Sequence, residues 1–81
     1  MQKYEIQRKT PSTNWHHLGK MTGFTELSKK EALEDLQLIT ANYNGTKKVD
    51  ENDLTAYAHD LNEDGNDGDR IDYRATIMEI N

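Results

Sequence analysis

The one run with a metal-binding rhythm is Asp60-x-Asn62-x-Asp64-Gly65. Oxygen donors at alternate positions followed by a glycine make the first half of a calcium loop, where the glycine permits the sharp turn. The second half departs from that pattern. Asp67 stands where an apolar residue belongs, and Ile71 stands where a bidentate glutamate belongs. Asp69 or Asp72 could act as a late ligand only in a non-standard loop. Calcium at Asp60, Asn62 and Asp64 is therefore the second reading, behind a solvated acidic turn. The same region holds nine carboxylates: Asp50, Glu51, Asp53, Asp60, Glu63, Asp64, Asp67, Asp69 and Asp72. Negative charge at this density can imitate the spaced charges of a nucleic-acid backbone and fill a basic groove on another protein. These nine are the expected partner-binding residues.

Other chemistries find less support. His16 and His17 are adjacent on an expected strand, so their rings point to opposite faces and cannot share an ion, and His59 stands apart. Ser12 falls among turn formers and Ser28 is explained by helix capping, which leaves no nucleophile with a base beside it. Acid–base catalysis by two carboxyls needs a cleft that gives them different environments, and a chain with this little apolar mass can hardly build one. Gly65 and Gly68 precede a strand and sit among like charges, unlike a phosphate-cradling loop. No enzymatic activity and no resident cofactor are expected. A basic surface is conceivable from Lys3, Arg8, Lys9, Lys20, Lys29, Lys30, Lys47 and Lys48 with Trp15 as a stacking ring. The acidic second half opposes it, so direct nucleic-acid binding through the lysine-bearing half ranks third.

The chain has 81 residues and a formal charge of -5, distributed unevenly. Residues 1–48 carry eight Lys/Arg against five Asp/Glu, net +3; residues 49–81 carry two against ten, net -8. Such asymmetry bears on partners and association rates. One domain over residues 1–81 is expected, near the size at which a single core only just suffices. Leu, Ile, Val and Phe number only fourteen, so aromatic area from four Tyr and one Trp must supplement the aliphatics. There is no cysteine for a disulfide or thiolate site. The opening residues lack the apolar run of a secretory signal, and no stretch approaches the roughly 18 apolar residues of a membrane span. A cytoplasmic, membrane-free setting is the expectation.

The elements that must position these side chains begin with residues 28–43. Ser28 with Glu31 is a capping box, and Ala32, Leu33, Leu36, Ile39, Thr40 and Tyr43 recur at helical steps. Asn44-Gly45 ends that helix. Residues 3–9 alternate around Tyr4 and Ile6 as a strand; residues 10–14 form a turn, and residues 15–20 return as a second strand. Asp50 and Asp53 mark a second N-terminus, with Leu54, Tyr57, Ala58 and Leu61 as the stripe of a short helix. Residues 62–69 read as loop. Residues 70–80 alternate strictly, with Ile71, Tyr73, Ala75 and Ile77 on one face and Arg70, Asp72, Arg74 and Thr76 on the other. The expected architecture is α+β: a three-stranded antiparallel sheet, β-β-α-α-β, with one long and one short helix on one face. The first strand is expected at its centre.

Tyr4-Glu5-Ile6-Gln7, Trp15, Leu18-Gly19, the Ser28-Lys29-Lys30-Glu31-Ala32 helix start and the closing Tyr73-Arg74 together resemble short strand-strand-helix-strand proteins of bacteriophages and prophages. The likeness covers residues 3–43 and 70–80. It departs at residues 46–69, read here as an acidic insertion, where a particular activity would reside. The resemblance implies a mobile-element setting in the cytoplasm of a bacterial host. It also implies a small inhibitor or regulator of a host protein, including anti-defence inhibitors of the anti-CRISPR kind; the acidic residues, by their spacing, suggest a nucleic-acid-handling enzyme as that host protein.

Overall fold

The computed structural model describes residues 3–17 and 27–77. Within them lie β1 (Tyr4–Lys9), β2 (His16–His17), α1 (Lys29–Ala41), β3 (Lys47–Asp50), β4 (Thr55–Leu61) and β5 (Asp67–Ile77). The strands form one antiparallel sheet in the order β2-β1-β5-β4-β3. Because β2 has two residues, four longer strands carry the sheet. The α+β class holds, but three strands with two helices does not: among the described residues there is one helix, and residues 47–61 form a hairpin. The expected strand over residues 15–20 is reduced to His16–His17, and residues 18–20 lie outside the described residues, as do Phe24 and residues 78–80. The first strand is not the central one: β1 has neighbours on both sides only at Gln7 and Arg8, opposite β2, and at Tyr4, bridged by Leu27, whereas β5 is flanked along most of its length.

The second helix failed because its segment satisfies two periods. Leu54, Tyr57, Ala58 and Leu61 suit a helix, but Ala56 and Ala58 alternate with Thr55, Tyr57 and His59 just as well, and short runs do not distinguish the two. Burial follows the strand period: Ala56 and Ala58 are buried and Thr55 is exposed. Asp50 does cap backbone amides, as its spacing suggested, but those of a turn. Its Oδ1 accepts from Asn52 N at 2.9 Å and Asp53 N at 3.0 Å. Leu54 then takes φ 53° and reverses the chain. A left-handed leucine is costly. It is held there by a buried side chain and by its carbonyl, which accepts from Ala75 N at 2.9 Å.

α1 begins as the sequence dictates. Ser28 Oγ accepts from Glu31 N while Glu31 Oε1 accepts from Ser28 N, completing the capping box. Its inner stripe places Ala32, Leu36 and Thr40 against the sheet, and the Thr40 hydroxyl donates to Leu36 O at 2.9 Å, so no polar group is left orphaned there. Below lie Ile6, Ala56 and Tyr73, with Leu27 and Leu54 closing the sides. Leu27 is fixed by a two-way backbone bridge to Tyr4. Register sets Ile6 opposite Ala75, and Arg8 and Ala56 on either side of Tyr73. Tyr4 and Ile6 are expected from the alternation to meet Ile77, Ala75 and Tyr73 beneath Leu36 and Ile39; all but Ile77 join the core, and Ile77 is exposed.

Asp35 is the polar exception on α1. Its Oδ2 is buried without a hydrogen-bond partner among the described residues. Burial first, then the charges of Glu31 and Glu34, raises its pKa. A carboxyl whose folded pKa lies above its unfolded value weakens the fold once pH exceeds both, and the penalty disappears below the unfolded value. Asp35→Asn should therefore raise the Tm at pH 7, with the gain shrinking to nothing as pH falls below about 4; thermal melts across that range check it.

Candidate functional site

The segment after α1 is docked onto the acidic strands through its own amides. Asn44 N donates to Asp60 Oδ1 at 3.3 Å, Gly45 N to His59 O at 2.7 Å, and Thr46 N to Asp67 Oδ1 at 2.9 Å, while His59 N returns a bond to Thr46 O. Gly45 is required by this approach: a β-carbon there would meet His59 O at 2.5 Å and Asp67 Oδ1 at 2.6 Å. Asp67 is held below the usual carboxylate range by the side chain and then the backbone amide of Thr46. Two carboxylates that sequence reasoning assigned to a partner thus grip a connection first.

The turn between β4 and β5 occupies residues 62–66, shorter than the expected 62–69 loop, because β5 starts at Asp67. Asn62 organises it. Its Oδ1 accepts from Asp64 N at 3.0 Å and Asn66 N at 3.1 Å, and its carbonyl accepts from Gly65 N. Gly65 sits at φ +80°, a conformation glycine adopts freely. Two of the three calcium-like residues are therefore engaged with backbone: Asp60 accepts from Asn44 N and Asn62 closes the turn, while the Asp64 side chain accepts no hydrogen bond among the described residues. Among the described residues no three His, Cys, Asp or Glu form a metal-holding group.

The nine acidic residues separate into two sets and a paired member. Asp50, Glu51 and Asp53 lie at the β3–β4 turn; Asp60, Glu63, Asp64, Asp67 and Asp69 lie around the β4–β5 turn. The length of β4 between those turns, six steps of about 3.3 Å, puts the sets about 20 Å apart. Asp72 lies between them on β5, where Arg70 Nε donates to its Oδ1 at 2.9 Å. Among the described residues it is the one of the nine in an ion pair.

The lysine-bearing half does not make one basic face. Lys47 Nζ donates to Tyr43 O at 2.9 Å at the C-terminal end of α1, a favourable place for a cation. Lys29 and Lys30 are exposed on α1, while Arg8 shares the helix-covered side of β1 with Ile6. Lys9 and Lys48 fall on the other sheet face, and Lys20 lies outside the described residues.

That other face, which no described element covers, holds what sequence reasoning missed. Trp15 and Arg74 meet from opposite ends of the chain, the guanidinium carbon 4.1 Å from the ring centre. Arg70 lies over Tyr57 at 4.2 Å, and Tyr57 meets His59 edge to face at 6.0 Å. His59 Nδ1–H donates to Gly68 O at 2.9 Å. A groove of about 360 Å³ runs among Trp15, Lys48, Asp50, Tyr57, Arg70 and Asp72. Alternation at Arg70, Asp72 and Arg74 had marked this face as polar, but Tyr57 was hidden by the helix reading of its segment.

Compared with protein-family models, curated proteins and solved structures, the chain matched none. No helix among the described residues is long and apolar enough to cross a membrane.

Gly45 is the most direct handle on the acidic end. Gly45→Ala should cost about 1–3 kcal/mol from forced displacement of His59 and Asp67, read as a lower urea midpoint at unchanged slope. It should also release the Thr46 amide to faster hydrogen exchange than neighbouring β4 amides.

Proposed function

We propose that this chain is a small acidic, non-enzymatic protein-binding modulator that occupies a basic surface of a host protein. The observation that carries the reading is how the acidic ends are held. Their fixed members, Asp50, Asp60 and Asp67, are tied to backbone amides, and among the described residues the other members of the two sets take part in no ion pair. Carboxylates bonded to amides keep their charge while losing their freedom, so a partner meets them without a further ordering cost. Spaced negative charge with this stiffness suits a groove shaped for a nucleic-acid backbone, and a nucleic-acid-handling enzyme is the class of partner it fits. The resemblance to phage and prophage proteins supports an inhibitory or anti-defence role in a bacterial cytoplasm.

Glu63, Asp64 and Asp69 test this without disturbing the fold, since their side chains accept no hydrogen bond among the described residues. Glu63→Gln, Asp64→Asn and Asp69→Asn together should leave the Tm within a few degrees. Host proteins captured by the immobilised wild-type chain at low salt should be lost with this variant and at high salt. Capture that is unchanged by neutralisation or by salt would overturn the reading.

A further inference from the structure

The open sheet face offers a different chemistry from the acidic turns. Its registers define rows across the strands: Lys48, Tyr57, Asp72 and Lys9 in one, and Asp50, Thr55, Arg74 and Gln7 in the next. Both arginines of the acidic half lie on this face, and both are immobilised in the same way. Arg74 lies over Trp15 and its Nε donates to Gln7 Oε1 at 2.8 Å; Arg70 lies over Tyr57 and its Nε donates to Asp72 Oδ1 at 2.9 Å. Each guanidinium is thus stacked and anchored through Nε, while its two Nη groups make no hydrogen bond among the described residues. A guanidinium held this way presents a planar fork to an oxyanion with little entropy left to lose.

Aromatic rings interleaved with cations on an open antiparallel sheet meet the two needs of an unpaired nucleic-acid strand, base stacking and backbone neutralisation. We propose that this face is a docking surface for single-stranded nucleic acid, with Trp15, Tyr57 and the guanidinium planes taking bases. Lys48 and the Nη groups of Arg70 and Arg74 take phosphates. Charge complementarity is local: Lys9, Lys48, Arg70 and Arg74 outnumber Glu5, Asp50 and Asp72 on this face, and Asp72 is already paired to Arg70. Most of the carboxylates that repel a polyanion lie in the turns at the two ends of β4, while Asp50 and Asp72 stand within the rows themselves. Their field keeps the affinity low, near the weak end of non-specific binding, with a Kd on the order of 10⁻⁴ M at physiological salt and tighter at low salt. Glu63, Asp64 and Asp69, the carboxylates that test protein binding, lie outside these rows, so each reading can fail alone.

Trp15 is the sole tryptophan, so its fluorescence reports on the face directly. Titration with a short oligonucleotide of mixed sequence, as single-stranded DNA and as RNA, should quench it saturably, and salt should weaken the binding. Tyr57→Ala and Arg70→Gln should each weaken binding by more than about fivefold. Arg70 is solvent-exposed, so its variant tests the claim even where others fold poorly. The acid-neutralised triple variant should bind as well as wild type or better. Absence of quenching by both single strands would overturn the proposal. So would equal binding of the matching duplex, equal quenching by poly-glutamate, which would mark a carboxylate-bearing protein partner, or indifference to both substitutions.

Discussion

Among the described residues one helix covers the sheet, and that single constraint shapes everything else. Ala32 and Leu36 have no exposed surface, and they lie over a floor of Ile6, Ala56 and Tyr73. Ala56 and Ala58 of β4 are small and buried on that face, which lets the helix stripe of Ala32, Leu36 and Thr40 lie close to the sheet. With no second described helix to spend, the opposite face of the sheet meets water and must carry polar residues. The protein therefore presents two unlike surfaces: acidic turns at the ends of the meander and an arginine-aromatic face across its middle.

The order of the strands joins those surfaces. β5 lies between β1 and β4, so the first and last described strands are hydrogen-bonded and Trp15 is carried to Arg74. The same strand begins at Asp67, whose carboxylate holds Thr46 in the connection leaving α1. Helix, hairpin and closing strand thus share one hydrogen-bonded corner at residues 44–46 and 59–67. Tyr43 and Tyr73 bind hydroxyl to hydroxyl nearby, and burial followed by that bond raises the Tyr73 pKa far out of the physiological range. Tyr73 is a neutral structural group at any working pH.

What could be read from the chain was whatever a local signal decides. Ser28 and Glu31 placed the helix start to the residue, and alternation around Ile6 and Tyr73 named the strands that pair beneath it. Residues 47–61 were misread because their pattern is short enough for two periods. The feature that settles it, a leucine turned into the left-handed region by its own burial, has no composition signal. The nine candidate carboxylates were visible as types, but their division into two sets follows from β4 being extended, since a helix of the same length would have kept them together. Tyr57 beside Arg70 and Trp15 beside Arg74 depend on sheet register, which spacing along the chain does not encode.

The acidic turn between β4 and β5 is held as part of the fold by the hydrogen bonds of Asn62 and Asp67, not left as a solvated tail of charge. Backbone ¹⁵N relaxation measures this directly. Order parameters near 0.85 across residues 44–46 and 62–67, equal to those of β1 and α1, are the predicted result. Values below about 0.6 confined to those residues would contradict the account.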